Sequence, residues 1–329
     1  MSDCFFSILA HRGVIAVSGT DRVGFLQGLI SNDTTRITAD RAIYATLLTA
    51  QGRFLFDLFL VEADEASGGG AADGTGDGRY LVDCAADRRA ELIKRLSMYR
   101  LRAKVAIADA AADWCVALLF GDRALAALGL GTAPGQARAF GGGIAYVDPR
   151  LAALGARLIL PRADAAGALR ADVAGALRAL GATEDASGAR YHALRAGLGV
   201  PDATRDLVPE KSILLENGLD ELNAIDWQKG CYMGQELTAR TRYRGLVRKR
   251  LLPVRIEGPA PEAGTPLLMG DKELGEMRST TADGAHGLAM VRLEALAGGA
   301  MPVFTAGGAK VSPSIPAWMR LPELDEAKA

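Results

Sequence analysis

Eight consecutive residues two-thirds of the way along the chain, Lys229-Gly230-Cys231-Tyr232-Met233-Gly234-Gln235-Glu236, concentrate most of its chemical potential. They set one cysteine between two glycines, two residues after a lysine and five before a glutamate. Glycines allow backbone angles that other residues resist, so the segment is expected to turn sharply and present its side chains. A nearby cation favours thiolate over thiol, the form that attacks electrophiles or binds metal. The competing reading is a buried cysteine packed as a small hydrophobe. The flanking Gly, Lys, Gln and Glu are poor core neighbours.

Gln235 and Glu236 open a stretch readable as the first turn of a helix through Arg242. An acid there suits the helix dipole on its own account. A carboxylate beside an amide could equally recognise a flat heterocycle with mixed donors and acceptors, such as a pterin. Arg240, Arg242, Arg244, Arg248, Lys249 and Arg250 follow. They read either as a solvated, salt-bridged face or as a site for phosphates or a polyglutamate tail. Asp57 sits after the apolar run Phe54-Leu55-Phe56, as a buried hydrogen-bonded group or a ligand anchor. His11, His192 and His286 show no triad or metal spacing and are read as structural. Walker A, dinucleotide and nucleophile-elbow patterns are absent.

The bulk numbers narrow the field. A chain of 329 residues suggests two or three domains. A formal net charge of -1 gives no global drive toward nucleic acid or anionic membrane. Cys4, Cys84, Cys115 and Cys231 are scattered, with no Cys-x-x-Cys pair. That weighs against structural zinc or a self-contained cluster and suits a reducing compartment. No signal peptide or membrane-length apolar run is read, so the expected location is cytoplasmic, with no membrane partner.

The elements that must position these residues can be placed coarsely. Strands are expected at 13–18, 44–49, 54–61, 80–82 and 104–108, with Gln51-Gly52 as a hairpin turn. A helix capped by Thr20 or Asp21 carries Val23, Leu26, Leu29 and Ile30, and Ser31-Asn32-Asp33 ends it as a simple turn. A second helix, 87–101, faces inward with Leu92, Leu96 and Tyr99. Residues 66–78 read as a flexible loop. The region 113–184 follows a strand–helix–strand–strand–helix rhythm, the split βαβ pattern, with its last helix from Ala163 to Leu180. A short helix at 191–198 comes next. Short strands at 251–256, 266–269, 274–279, 288–293 and 302–304 argue for a small barrel or sandwich, and 322–329 for a frayed tail.

The motif Lys229-Gly230-Cys231-Tyr232-Met233-Gly234-Gln235-Glu236 resembles the K-G-C-(F/Y)-x-G-Q-E signature of the YgfZ family of folate-binding proteins. That family is similar to the glycine cleavage T-protein, an aminomethyltransferase, and includes a mitochondrial iron–sulfur assembly factor. Phe25 to Asp33, Thr49-Ala50-Gln51-Gly52-Arg53 and Tyr191 to Gly197 resemble it too, so the likeness spans roughly 10–315. The resemblance implies an α+β, aminomethyltransferase-like folate-binding fold, three domains in a ring with a C-terminal small β-barrel. The regions are then an N-terminal folate-binding part (1–112), a ferredoxin-like part (113–184), the signature segment (185–247) and the barrel (248–318).

It also implies tetrahydrofolate binding and a role in assembling or repairing iron–sulfur enzymes, including radical enzymes that modify tRNA. Cys231 would be the key thiol and a transient cluster ligand, and Lys229 would favour its thiolate. Gly230 and Gly234 would shape the loop. Glu236, Gln235, Asp57 and Arg240 would bind folate. One thiol cannot hold a cluster alone, so assembly proteins or client enzymes must supply the rest. The T-protein carries two adjacent aspartates where this chain has Phe56-Asp57. The missing carboxylate argues against a classical enzyme. The alternative function is a tetrahydrofolate-dependent aminomethyl transferase. The near-neutral charge weighs against direct tRNA binding, and a monomer is expected.

Overall fold

The structure is a computed structural model that describes residues 3–63, 78–162, 173–245, 247–297 and 300–321. The loop expected at 66–78, the first part of the helix expected from Ala163 and the expected tail lie largely outside these residues. In chain order, β1 (Phe5–Ile8), β2 (Arg12–Ser18), α1 (Arg22–Gln27), β3 (Ile43–Leu48), β4 (Phe54–Ala63), β5 (Arg79–Ala85), α2 (Arg89–Arg100) and β6 (Ala106–Asp109) come first. Next are β7 (Trp114–Phe120), α3 (Ala124–Ala127), β8 (Ala137–Phe140), β9 (Gly143–Val147), β10 (Ala156–Pro161), α4 (Val173–Ala179), β11 (Thr183–Glu184), α5 (Ala189–Gly197) and α6 (Gln235–Tyr243). The last third is β12 (Lys249–Glu257), β13 (Pro266–Met269), β14 (Lys272–Thr280), β15 (His286–Arg292), β16 (Phe304–Ala306) and β17 (Ala309–Pro313).

The chain forms two compact units. One holds residues 1–48, 56–188 and 223–233; the other holds 49–55, 189–222 and 234–329. The division therefore falls inside β4 and inside the signature, between Met233 and Gly234.

The first unit carries two sheets. One has the order β3-β4-β5-β2-β6, the other β11-β1-β7-β10-β9-β8. β4 reads Phe-Leu-Phe-Asp-Leu-Phe-Leu-Val-Glu-Ala and is buried at every position but Glu62. A strand covered on both faces needs such a near-continuous apolar run. β1 lies within the region 1–112, yet it pairs antiparallel with β7 and parallel with β11. The α1 cap differs from expectation. Asp21 makes no side-chain cap bond; its carboxylate accepts instead from the Lys104 N–H at 2.7 Å. In α2, Leu92 and Leu96 are buried as their spacing predicts, but Tyr99 is exposed. The helix stops at Leu101, whose φ of 44° and ψ of -107° cost a non-glycine residue ~1–3 kcal/mol.

In the second unit the sequence left a barrel and a sandwich open, and the structure closes a six-stranded barrel, β12-β15-β14-β13-β16-β17. Leu252, Val254, Ile256, Leu267, Met277, Val291, Phe304 and Val311 fill it. Alternate residues point inward because side chains alternate along a strand, and closure leaves no unpaired edge. Register shifts at Leu267/Leu268 and Met277/Ser279 bend the small barrel.

Candidate functional site

The last turn of α1 and the chain leaving it form the dock for the first half of the signature. Carbonyls at a helix end have no partners within the helix. Here the Lys229 ammonium supplies them, donating to Gln27 O at 2.9 Å, Ile30 O at 2.6 Å and Asn32 O at 2.8 Å. Its three N–H bonds meet three acceptors, and the Tyr232 ring lies 5.1 Å from the charge. Burial pushes this ammonium down to about 8, while Asp33 and Asp226 act in the opposite direction. Sequence reasoning set Lys229 beside the thiol as its activator. The structure commits its donors to the α1 exit, so it positions the segment.

Polar residues finish the dock. Asp226 Oδ1 accepts from the Gln228 and Lys229 N–H groups at 2.8 and 3.1 Å, and Asp226 Oδ2 accepts from Arg36. Ser31 Oγ donates to Ala224 O at 2.6 Å, and Asn32 Nδ2 to Tyr44 O and Asn223 O. The Met233 N–H reaches Gly28 O at 3.0 Å. Ser31, Asn32 and Asp226 were missed as site-building residues. In sequence the first two look like a generic helix stop, and their partners lie some 190 residues away.

The dock leaves Cys231 exposed, whereas Cys4, Cys84 and Cys115 are buried. Burial pushes the Cys84 thiol up to about 12 and raises Cys4. A thiol held protonated and covered is inert, so Cys231 is the one placed for chemistry. Among the described residues no three His, Cys, Asp or Glu gather in a metal-holding group.

The second half of the signature opens α6 in the other unit. Gly234 caps that helix at φ 81°, a left-handed angle that favours glycine. Gly52, at φ 80° in the Gln51-Gly52 turn, meets it: a Cβ on Gly52 would stand 2.6 Å from Gly234 O and from Leu237 Cβ. Gly230 differs, since a Cβ there meets nothing within 4 Å and its φ is not left-handed. The loop shape expected of both glycines rests on Gly234. Glu236 is exposed in the first turn of α6, Arg240 is exposed one turn on, and Gln235 is half-buried. The basic run divides. Arg240, Arg242, Arg244 and Arg248 are exposed, but Arg250 is buried, donating to Leu215 O and paired with Glu221.

The same unit holds two further polar groups that sequence reasoning missed. Glu216 is buried, and burial raises its carboxyl despite Lys249, Arg53 and Arg278 nearby. Asn217 is buried too; its amide N–H donates to Ile213 O, while its Oδ1 has no partner among the described residues. Buried polar atoms without partners point to a missing water or ligand. No motif flags this pair.

Asp57 resolves to the first of its two readings. It is 4% exposed and accepts from Arg12 Nη1 at 2.8 Å. Arg12 also donates to Asp83 at 2.6 Å, and Asp83 pairs with Arg157 across to the other sheet. Asp148 and Arg150 continue the cluster at 2.8 Å. Three guanidiniums surround the Phe59 ring at 3.8–5.5 Å from its centroid. Asp57 is thus one of three buried carboxylates balancing three buried arginines.

Comparison with known proteins places this arrangement. Residues 248–321 match the model for the CAF17 C-terminal beta-barrel domain. The mitochondrial iron–sulfur cluster assembly factor IBA57 of Mus musculus is 33% identical over 306 residues, 88% of this chain and 78% of its own. The Homo sapiens protein of the same name is 34% identical over 330 aligned residues, 94% of this chain and 84% of its own. The chain belongs to the IBA57 family. Its fold extends beyond that family: the aminomethyltransferase T of the Bartonella henselae glycine cleavage system superposes with a TM-score of 0.73, covering 97% of this chain and 87% of that one. At 17% identity this shows a shared fold and nothing finer. The IBA57-family chain is thus built on an aminomethyltransferase-like α+β scaffold with a C-terminal barrel.

Proposed function

We propose that this protein is an iron–sulfur cluster assembly or repair factor whose working group is the Cys231 thiol. The observation that carries this is a single exposed thiol on a segment tied down by Lys229, in a chain of the IBA57 family. A cluster passing through is cargo, and one thiolate supplies one of its ligands, so the other ligands come from an assembly protein or a client enzyme. Clients would include radical enzymes that modify tRNA. The proposed location is the cytoplasm, on cysteine usage alone.

Folate belongs to the same proposal. The buried Glu216 carboxyl and the unpartnered Asn217 Oδ1 would each accept from an N–H group of a pterin. Gln235, Glu236 and Arg240 on α6 would contact the rest of the molecule, Arg240 through the glutamate tail. Asp57, taken up by Arg12, is left out of this set. Bound tetrahydrofolate would supply a one-carbon carrier. A second reading, a folate-dependent aminomethyl transferase, is favoured by the shared fold. It is weakened by the engagement of the one remaining carboxylate of the Phe56-Asp57 pair.

The test is genetic. A strain lacking the gene is restored with wild type or Cys231→Ala, and a four-iron enzyme is assayed per unit of its protein. Rescue by wild type and failure of the alanine variant are expected. Undiminished activity in the deletion strain would overturn the assembly role. Tetrahydrofolate titration against wild type and Asn217→Leu tests the folate part, with weaker binding by the variant expected.

A further inference from the structure

The end of α2 carries a surface with no role in the site above. Its first turns are ion-paired: Arg88 and Arg95 share Glu91 at 2.9 and 3.2 Å, and Arg89 pairs with Asp109 at 2.8 Å. Beyond them the character changes. Ser97 to Arg102 is exposed without interruption. Met98 is 58% exposed and Leu101 is 89% exposed, and Tyr99 joins them although its spacing from Leu92 and Leu96 predicts a core position. Lys94, Arg100, Arg102 and Lys104 are exposed around these three and make no ion pair among the described residues.

The backbone here is held. The Ala103 N–H donates to Arg100 O at 2.8 Å, and the Lys104 N–H to the Asp21 carboxylate at 2.7 Å. Leu101 is therefore presented to solvent by a fixed, left-handed residue. A fluid lipid surface gains little from a rigidly aimed side chain, whereas a shaped protein pocket does. Met, Tyr and Arg are also the types enriched at the centres of protein interfaces, and four unpaired cations call for carboxylates opposite.

We propose that the Met98–Lys104 surface docks a partner protein through an apolar pocket ringed by acidic residues. Leu101 and Tyr99 enter the pocket, and Arg100 and Arg102 pair with its rim. This names the chemistry of the partner that the assembly reading requires and rests on that reading.

The test places a photoreactive benzophenone side chain at Tyr99 in cells, with Lys310 as a control position. The adduct is identified by mass spectrometry, and the partner, once purified, is titrated against the full-length protein. One adduct specific to position 99 is expected. Its affinity for Arg100→Glu/Arg102→Glu should fall about tenfold or more, with recovery when the partner's rim carboxylates are reversed to lysine. Leu101→Gly is the second variant. It suits the left-handed backbone, so folding is kept or improved while docking is lost. Absence of an adduct, or an adduct indifferent to both variants, overturns the proposal. So does charge-dependent binding seen only with phosphatidylserine vesicles or only with bulk tRNA. A partner that neither carries nor receives a cluster leaves the docking surface standing and counts against the assembly role, which the Cys231→Ala rescue decides separately.

Discussion

Two regions of the first unit handle buried charge in opposite ways. Around Phe59, Arg12, Arg150 and Arg157 are balanced by Asp57, Asp83 and Asp148, and nothing faces outward. At the α1 exit, Lys229 meets neutral carbonyls, and the chain it holds ends in an exposed thiol. The first is a closed lock joining two sheets. The second is a mount: it uses a cation to fix backbone and leaves its reactive neighbour free. The difference follows from the acceptors. Carboxylates neutralise guanidiniums in place, while carbonyls hold the ammonium by charge–dipole hydrogen bonds and leave its charge to the more distant Asp33 and Asp226.

The largest break in this comparison is Asp83→Ala. It leaves Arg12 with Asp57 alone and Arg157 with only the longer Asp148 contact in a dry site, and is expected to cost ~3–5 kcal/mol of stability, read by urea unfolding. The same residue sets an acid limit. Burial alone would raise the Asp83 carboxyl, but Arg12 and Arg157 outweigh it and hold it below its usual 3.8. The unfolded chain therefore takes up this proton first as pH falls. The stabilisation is full above about 3.8 and is lost as pH drops through the lower folded value. Melting temperature measured from pH 5 to 3 should fall mainly below 4 on this account. A drop centred well above 4 would show that other groups control acid unfolding.

Lys229→Met attacks the mount. Three carbonyls lose their donor, at about 1–3 kcal/mol. Hydrogen exchange should accelerate at residues 226–233 and leave β2 and β5 unchanged. Equal acceleration in both regions would merge lock and mount into one cooperative unit. Gly234→Ala is next, expected to cost ~1–2 kcal/mol for its left-handed angle, while Gly230→Ala should change stability by less than ~0.5 kcal/mol. Equal costs would refute the division between the two glycines. Smallest of all is Cys231→Ala, within ~0.5 kcal/mol of wild type in stability. Against the loss of rescue expected of the same variant, that pairing separates function from folding.

Much of the architecture was readable from local pattern. The strands β2 to β7, the hairpin turn at Gln51-Gly52 and five of the six barrel strands follow from apolar runs punctuated by glycine and proline. The strands β1, β8, β11 and β17 escaped; β8, β11 and β17 carry charged or small polar residues in place of an apolar run. Tyr99 went wrong for a different reason. Its spacing satisfies the helix period, but α2 runs out past its packing surface, which no periodicity records.

By itself, the sequence determined the signature, its lone cysteine, the glycine turns and the alternation that builds the barrel, because each depends on neighbours a few residues apart. Which lysine contact matters, which cysteines are covered and which aspartate is already spoken for were decided only by tertiary structure. Lys229 finds its acceptors about 200 residues upstream and Asp57 finds Arg12 on another strand. Burial and long-range pairing then determine which of these groups stay available for chemistry.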